Sequence, residues 1–193
     1  MKIFRKILIV LLILVASLLI YSQIYQKFYP TQNATAMNFS DIDFIENMKS
    51  VPAPDFSTID LQEATVQLSQ IKEPIIIINF WASWCTPCLE EIPSLHKLVA
   101  TFTGKIRLIA VSGDSSVEEM KIFLKSYPEL TNKNISIVWD KDKELMKLYR
   151  VNRLPESFIL SSDKKLVKKV VGSIDWYTFE SKEFIKNLLA TKQ

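Results

Sequence analysis

The two cysteines of this 193-residue chain stand three positions apart, in Trp84-Cys85-Thr86-Pro87-Cys88. A pair at that spacing, where a strand gives way to a helix, is suited to thiol–disulfide exchange. The attacking species is a thiolate. A helix N-terminus favours it through N–H groups that lack intrahelical partners and through the positive end of the helix dipole. Cys85, first and more exposed, is the expected nucleophile. Cys88, about one turn further along the same face, is placed to resolve a mixed disulfide. Pro87 costs little in a first turn, where its missing N–H had no partner. Thr86 and Pro87 help set the balance between dithiol and disulfide. Other uses of the pair are weaker. A structural disulfide across so short a loop stabilises little. A four-ligand metal cage is excluded in one chain with two Cys and one His, so no metal is expected unless two chains share it.

The surrounding pattern supplies the strand and the helix. Ile75-Ile76-Ile77-Ile78-Asn79-Phe80 is a continuous apolar run, as in a strand buried on both faces. A helix is predicted from about Cys85 to Phe102, with Pro93 expected to bend it. Strands follow at Ile106–Ser112 and Ile135–Asp140. A helix opened by Ser115 or Ser116 ends before Pro128, and another spans Lys143–Arg150, capped by Asp142. Ser157–Ser161 and Leu166–Val171 form a hairpin, and a last helix runs from Thr178 to Ala190. Asp55–Ile59 and Ala64–Leu68 are candidate short strands. Together these make an α/β sandwich around a central mixed sheet, over residues 51–193, entered through Val51-Pro52-Ala53-Pro54.

The overall charge of +3 does not describe this domain. Lys2, Arg5, Lys6 and Lys27 account for all charge in the first 27 residues; without them 20 basic residues face 21 acidic ones. No nucleic-acid partner is expected from so balanced a surface. Residues 1–6 read as a cytoplasmic N-terminus and 7–25 as an uncleaved transmembrane signal anchor, since a bilayer needs about 20 apolar residues. Positive charge before the apolar run keeps the N-terminus inside, and Tyr21 and Tyr25 suit an interface. The domain is then expected on the extracytoplasmic side of the cytoplasmic (inner) membrane, facing the periplasm where there is one. Residues 26–50 read as a tether with a short helical turn around Asp41–Met48. Asn33-Ala34-Thr35 and Asn38-Phe39-Ser40 match the glycosylation pattern, which carries little weight without other eukaryotic signs.

Asn79-Phe80-Trp81-Ala82-Ser83-Trp84-Cys85-Thr86-Pro87-Cys88-Leu89-Glu90-Glu91-Ile92-Pro93 resembles the active-site region of thioredoxin-like proteins. More narrowly it is similar to the membrane-anchored TlpA/ResA/DsbE group, as are Ala53-Pro54-Asp55-Phe56 and Leu154-Pro155-Glu156-Ser157-Phe158. The resemblance implies a thioredoxin-like three-layer sandwich and a protein-disulfide oxidoreductase needing no cofactor beyond the Cys85–Cys88 pair. It implies Pro155 as a cis-proline beside Cys85, although a loop proline is trans by default, and Leu154 as a backbone that pairs with substrate. It also implies, first of all, a reductive role toward haem-attachment cysteines in cytochrome c maturation. The partners would be disulfide-containing proteins and a transmembrane thiol carrier that returns electrons.

The remaining residues divide between site and scaffold. Trp84 either covers the disulfide or serves as core aromatic. Glu91, one turn past Cys88, is either a partly buried acid that exchanges the Cys88 proton or a solvated charge; the resemblance puts the former on a level with the latter. Asn79 stands where thioredoxins proper carry a buried acid and cannot titrate, leaving Glu91, Glu156 or water for proton transfer. Glu156 is a candidate partner-contacting charge. Glu90 reads as solvated, His96 as an ordinary helix residue, and Lys164, Lys165, Lys168 and Lys169 as protection of an edge strand. Three rival functions stand beside the reductase: an oxidase or isomerase, a copper-delivery chaperone drawing on His96, and a scaffold with idle cysteines.

Overall fold

The computed structural model describes residues 4–6, 11, 14–21, 23, 39–130 and 132–191. The isoleucine run forms β3 (Ile75–Trp81), every residue of which is buried. It pairs in parallel with β4 (Ile106–Ser112) and antiparallel with β6 (Glu156–Ser161). β5 (Ile135–Trp139) lies parallel outside β4, and β7 (Leu166–Val171) antiparallel outside β6, giving the order β5-β4-β3-β6-β7. β1 (Ser57–Ile59) and β2 (Thr65–Gln67) make a small antiparallel pair, joined to β5 through Asp60 and Val138.

Alternation along β3 divides the core. Ile75, Ile77 and Trp81 face α2 (Thr86–Thr101), α3 (Val117–Leu124) and α5 (Phe179–Ala190). Ile76, Ile78 and Phe80 face α1 (Phe39–Ser50), α4 (Glu144–Leu148) and the β1–β2 pair. Each buried isoleucine stabilises the sandwich by roughly 1.5–3 kcal/mol. The three layers and the mixed sheet are those expected from the sequence.

Two details differ from expectation, the first helix and the cap of α4. α1 is a full helix where only a turn was expected, with Met48 1% exposed, and the compact unit begins at Ser40 rather than Val51. Met48 is buried among Phe56, Leu68 and Tyr149, and Arg150 reaches both Asp41 (3.6 Å) and the ring of Phe44. The cap of α4 is Lys143, in the left-handed region at φ 59°, not Asp142; buried Asp140 accepts the Leu145 and Met146 N–H groups instead. Ser116 is the cap of α3, accepting from the Glu119 N–H. α2 carries Pro93 in its interior, as the predicted helix from Cys85 to Phe102 does. Among the described residues no helix is long and apolar enough to cross a membrane. Of the 7–25 segment, residues 7–10, 12, 13, 22, 24 and 25 lie outside the described residues, as do all of 26–38; residues 11, 14–21 and 23 are helical and exposed.

Candidate active site

β3 ends at Trp81, and four residues later the chain enters α2. Cys85 is the N-cap of that helix, with extended backbone, and its Sγ accepts the Cys88 N–H at 3.3 Å. The two sulfurs are bonded, 2.09 Å apart. Cys85 keeps 6% of its surface exposed and Cys88 none, the order expected of attacking and resolving sulfurs. An N–H aimed at Cys85 Sγ at a helix start stabilises the thiolate once the disulfide opens. Thr86 and Pro87 lie exposed in the first turn.

Trp84 is 65% exposed, so it is not core aromatic; it presents an apolar ring at the surface directly before Cys85. The Leu154–Pro155 bond is cis, as the resemblance implied. Phe80 stands opposite Glu156 in the sheet, which sets Pro155 level with Trp81 at the end of β3 from which the Cys85 loop departs. The Pro155 carbonyl accepts the Gly172 N–H at 2.9 Å, and half-buried Leu154 precedes it.

Glu91 is 2% exposed, not a solvated charge. Its Oε1 accepts Asn79 Nδ2 at 2.8 Å, and its Oε2 accepts the indole N–H of Trp176 at 3.1 Å. Burial pushes its carboxyl above the usual range, opposed by the Trp176 and Asn79 bonds and by the Ile174 N–H, which favour the charged form. Asn79 also donates to Ser157 Oγ at 2.9 Å, so the non-titrating residue of β3 holds the acid of α2 against the sheet.

Glu156 does not join this group. It shares a face of the sheet with Phe80 and Phe158, opposite the face that carries Asn79 and Glu91. Its side chain is 3% exposed and pairs with Lys169 Nζ at 2.8 Å, so it offers no charge to a partner and no proton route to Cys88. Burial raises its carboxyl, and Lys169 opposes the rise. Lys169, 11% exposed and over the Phe158 ring, is therefore a buried partner rather than edge protection. His96 is half-buried on α2, eight residues and about 12 Å of helix beyond Cys88, too far to share a metal with the thiols. Among the described residues no group of three or more His, Cys, Asp or Glu is arranged to hold a metal ion.

Sequence reasoning missed Trp176, Ser157 and the Ile174 backbone. Only a general rule pointed to the first: a buried indole N–H needs an acceptor.

A Cys-x-x-Cys disulfide at a helix start, with a cis-proline at the same end of a mixed five-stranded sheet, defines a thiol–disulfide oxidoreductase of the thioredoxin-like class. Residues 50–169 match the AhpC/TSA family. Thiol-disulfide oxidoreductase ResA of Bacillus cereus is 31% identical over 121 residues, 62% of this chain and 68% of that protein. ResA of Bacillus subtilis (strain 168) is 31% identical over 123 residues, 63% of this chain and 66% of its own. StoA from Bacillus subtilis superposes with a TM-score of 0.57 at 26% identity, over 72% of this chain and 98% of its own. A thiol:disulfide interchange protein of the thioredoxin family from Chlorobium tepidum TLS shares the fold, with a TM-score of 0.62 at 20% identity over 72% and 96%. The chain belongs to the AhpC/TSA family of thioredoxin-like proteins, in its TlpA/ResA/DsbE-type branch.

Proposed function

We propose that this oxidoreductase works in the reductive direction on disulfides of partner proteins, outside the cytoplasm and tethered by its N-terminal segment. The observation that carries the reading is Cys85 capping α2 directly after an exposed tryptophan, with the resolving Cys88 fully buried in the first turn. The Cys85 thiolate attacks one sulfur of the substrate disulfide, forming a mixed disulfide and releasing the other sulfur as a thiolate. Cys88 loses its proton, with Glu91 one turn away as acceptor, and attacks Cys85 Sγ. The substrate leaves as a dithiol, two electrons richer, and the Cys85–Cys88 disulfide remains.

Trp84 and the Leu154–Pro155 backbone are the surface against which substrate docks, with Thr86 and Pro87 setting the redox balance. Lys2, Arg5 and Lys6 before an apolar run support an anchor with the domain outside the cytoplasm. There a transmembrane thiol carrier would return the electrons. The resemblance of the Trp84–Cys88 and Leu154–Phe158 segments to the TlpA/ResA/DsbE group supports haem-attachment cysteines of c-type cytochromes as the substrate class.

The test is a Cys88→Ala variant of the full chain, whose mixed disulfide on Cys85 cannot be resolved. Capture of a disulfide-linked protein on Cys85 is expected, and an absence of any such adduct contradicts the reading. A reduction potential near that of thioredoxin, about −270 mV, fits a reductase; one near about −120 mV would make the protein an oxidase.

A further inference from the structure

Just past β4, Asp114 has no exposed surface, yet it lies in none of the chemistry above. The Ser83 N–H donates to its Oδ1 and Oδ2 at 3.0 and 3.1 Å, and the Ser83 hydroxyl donates to Oδ1 at 2.6 Å. The Ser112 hydroxyl donates to Oδ2 at 2.6 Å, and the Asp114 N–H returns a bond to Ser112 Oγ at 3.1 Å. These neutral donors hold a buried carboxylate across the gap between β4 and the loop that follows β3.

The backbone behind Asp114 is held as firmly. Its carbonyl accepts the Trp139 indole N–H at 3.0 Å and Lys143 Nζ at 3.1 Å; Lys143 also donates to the Gly113 carbonyl at 2.7 Å. The Gly113 N–H in turn bonds the Trp81 carbonyl at 2.7 Å. A Cβ at Gly113 would press on the flexible end of the Met146 side chain, which would have to shift. The end of β5 and the start of α4 therefore fix Asp114, and Asp114 fixes Ser83. Directly after Ser83 come the exposed Trp84 and the nucleophile, whose own N–H reaches the Ala82 carbonyl at 3.1 Å.

We propose that Asp114 is a positioning residue for thiol exchange: by clamping Ser83 it holds the loop that aims Trp84 and the Cys85 sulfur at an incoming disulfide. Exchange requires the attacking sulfur in line with the bond it breaks, and small errors in such alignment are costly. A carboxylate with an N–H and a hydroxyl of the same residue in its grip sets both the path and the tilt of the loop.

The experiment compares full-chain Ser83→Ala, Asp114→Asn, the double variant and Ser83→Thr for the rate at which the reduced protein cleaves insulin disulfides. Ser83→Ala and Asp114→Asn are each expected to slow cleavage by roughly tenfold, the double variant no further, and Ser83→Thr to recover most of the loss because it keeps the hydroxyl. Losses under about fivefold in Ser83→Ala, losses that multiply in the double variant, or no recovery in Ser83→Thr would each overturn the proposal. If Asp114→Asn fails to fold, Ser83→Ala and Ser83→Thr decide alone. The proposal rests on Cys85 as the attacking sulfur, and Cys85→Ser assayed in parallel separates the two: retained cleavage there sinks that reading rather than the clamp.

Discussion

The indole of Trp176 donates to Glu91 across 3.1 Å, joining the segment after β7 to the second turn of the redox helix, 85 positions earlier in the chain. With the Asn79 bond at 2.8 Å, it gives a buried acid two side-chain donors that favour its charged form, against a surrounding that favours the neutral one. A carboxyl raised in this way can hold a proton at a higher pH than a free one, and accept and return it in the exchange.

Glu91→Gln should therefore slow release of a trapped mixed disulfide by roughly a hundredfold, while the first attack by Cys85 changes little. Trp176→Phe removes a donor to the charged form, so the rise of the release rate with pH should move to higher pH. Stopped-flow release measured across a pH series checks both. An unchanged release rate in Glu91→Gln would assign the proton to water.

The same acid shapes stability. Burial raises its carboxyl only in the folded chain, so the folded protein keeps a proton over a window in which the unfolded chain has lost it. Its contribution is complete below the ordinary value of 4.5 and is lost as pH rises through the folded value. Wild-type denaturation midpoints should fall across that window. In Glu91→Gln they should fall less, with the remaining slope due to Glu156, which burial raises in the same direction.

How much of this was legible depended on whether the signal was local. Ile75–Ile78 announces a central strand because four adjacent apolar residues leave neither face for solvent, and the Cys85–Cys88 spacing locates the helix start. Glu156 was misplaced because its face depends on register: only the pairing of Phe80 with Glu156 turns it away from the thiols. The helix over Phe39–Ser50 was read as tether because Asp41, Asp43 and Glu46 dilute the stripe of Phe44, Ile45 and Met48, and only packing against Phe56 and Tyr149 reveals it. Trp176 follows a glycine turn with no periodicity, and its partner is set by how the closing segment crosses α2.

The Lys169–Glu156 pair yields a further prediction. Lys169→Met leaves a buried carboxylate without its cation and should cost about 3 kcal/mol near neutral pH. The loss should shrink in acid, where Glu156 can take a proton instead. Urea denaturation at neutral and acidic pH checks this, and equal losses at both would mean that the pair is not ionic.

The central claim is that the start of α2 makes Cys85, and not Cys88, the reactive thiolate. Its most direct test is the pH dependence of iodoacetamide labelling in the fully reduced protein, with each cysteine followed by mass spectrometry. The account predicts that Cys85 reacts first, with a midpoint well below the free-thiol value of about 8.5, while Cys88 stays protected. Labelling of Cys88 at a comparable rate, or a Cys85 midpoint at the free-thiol value, would contradict it.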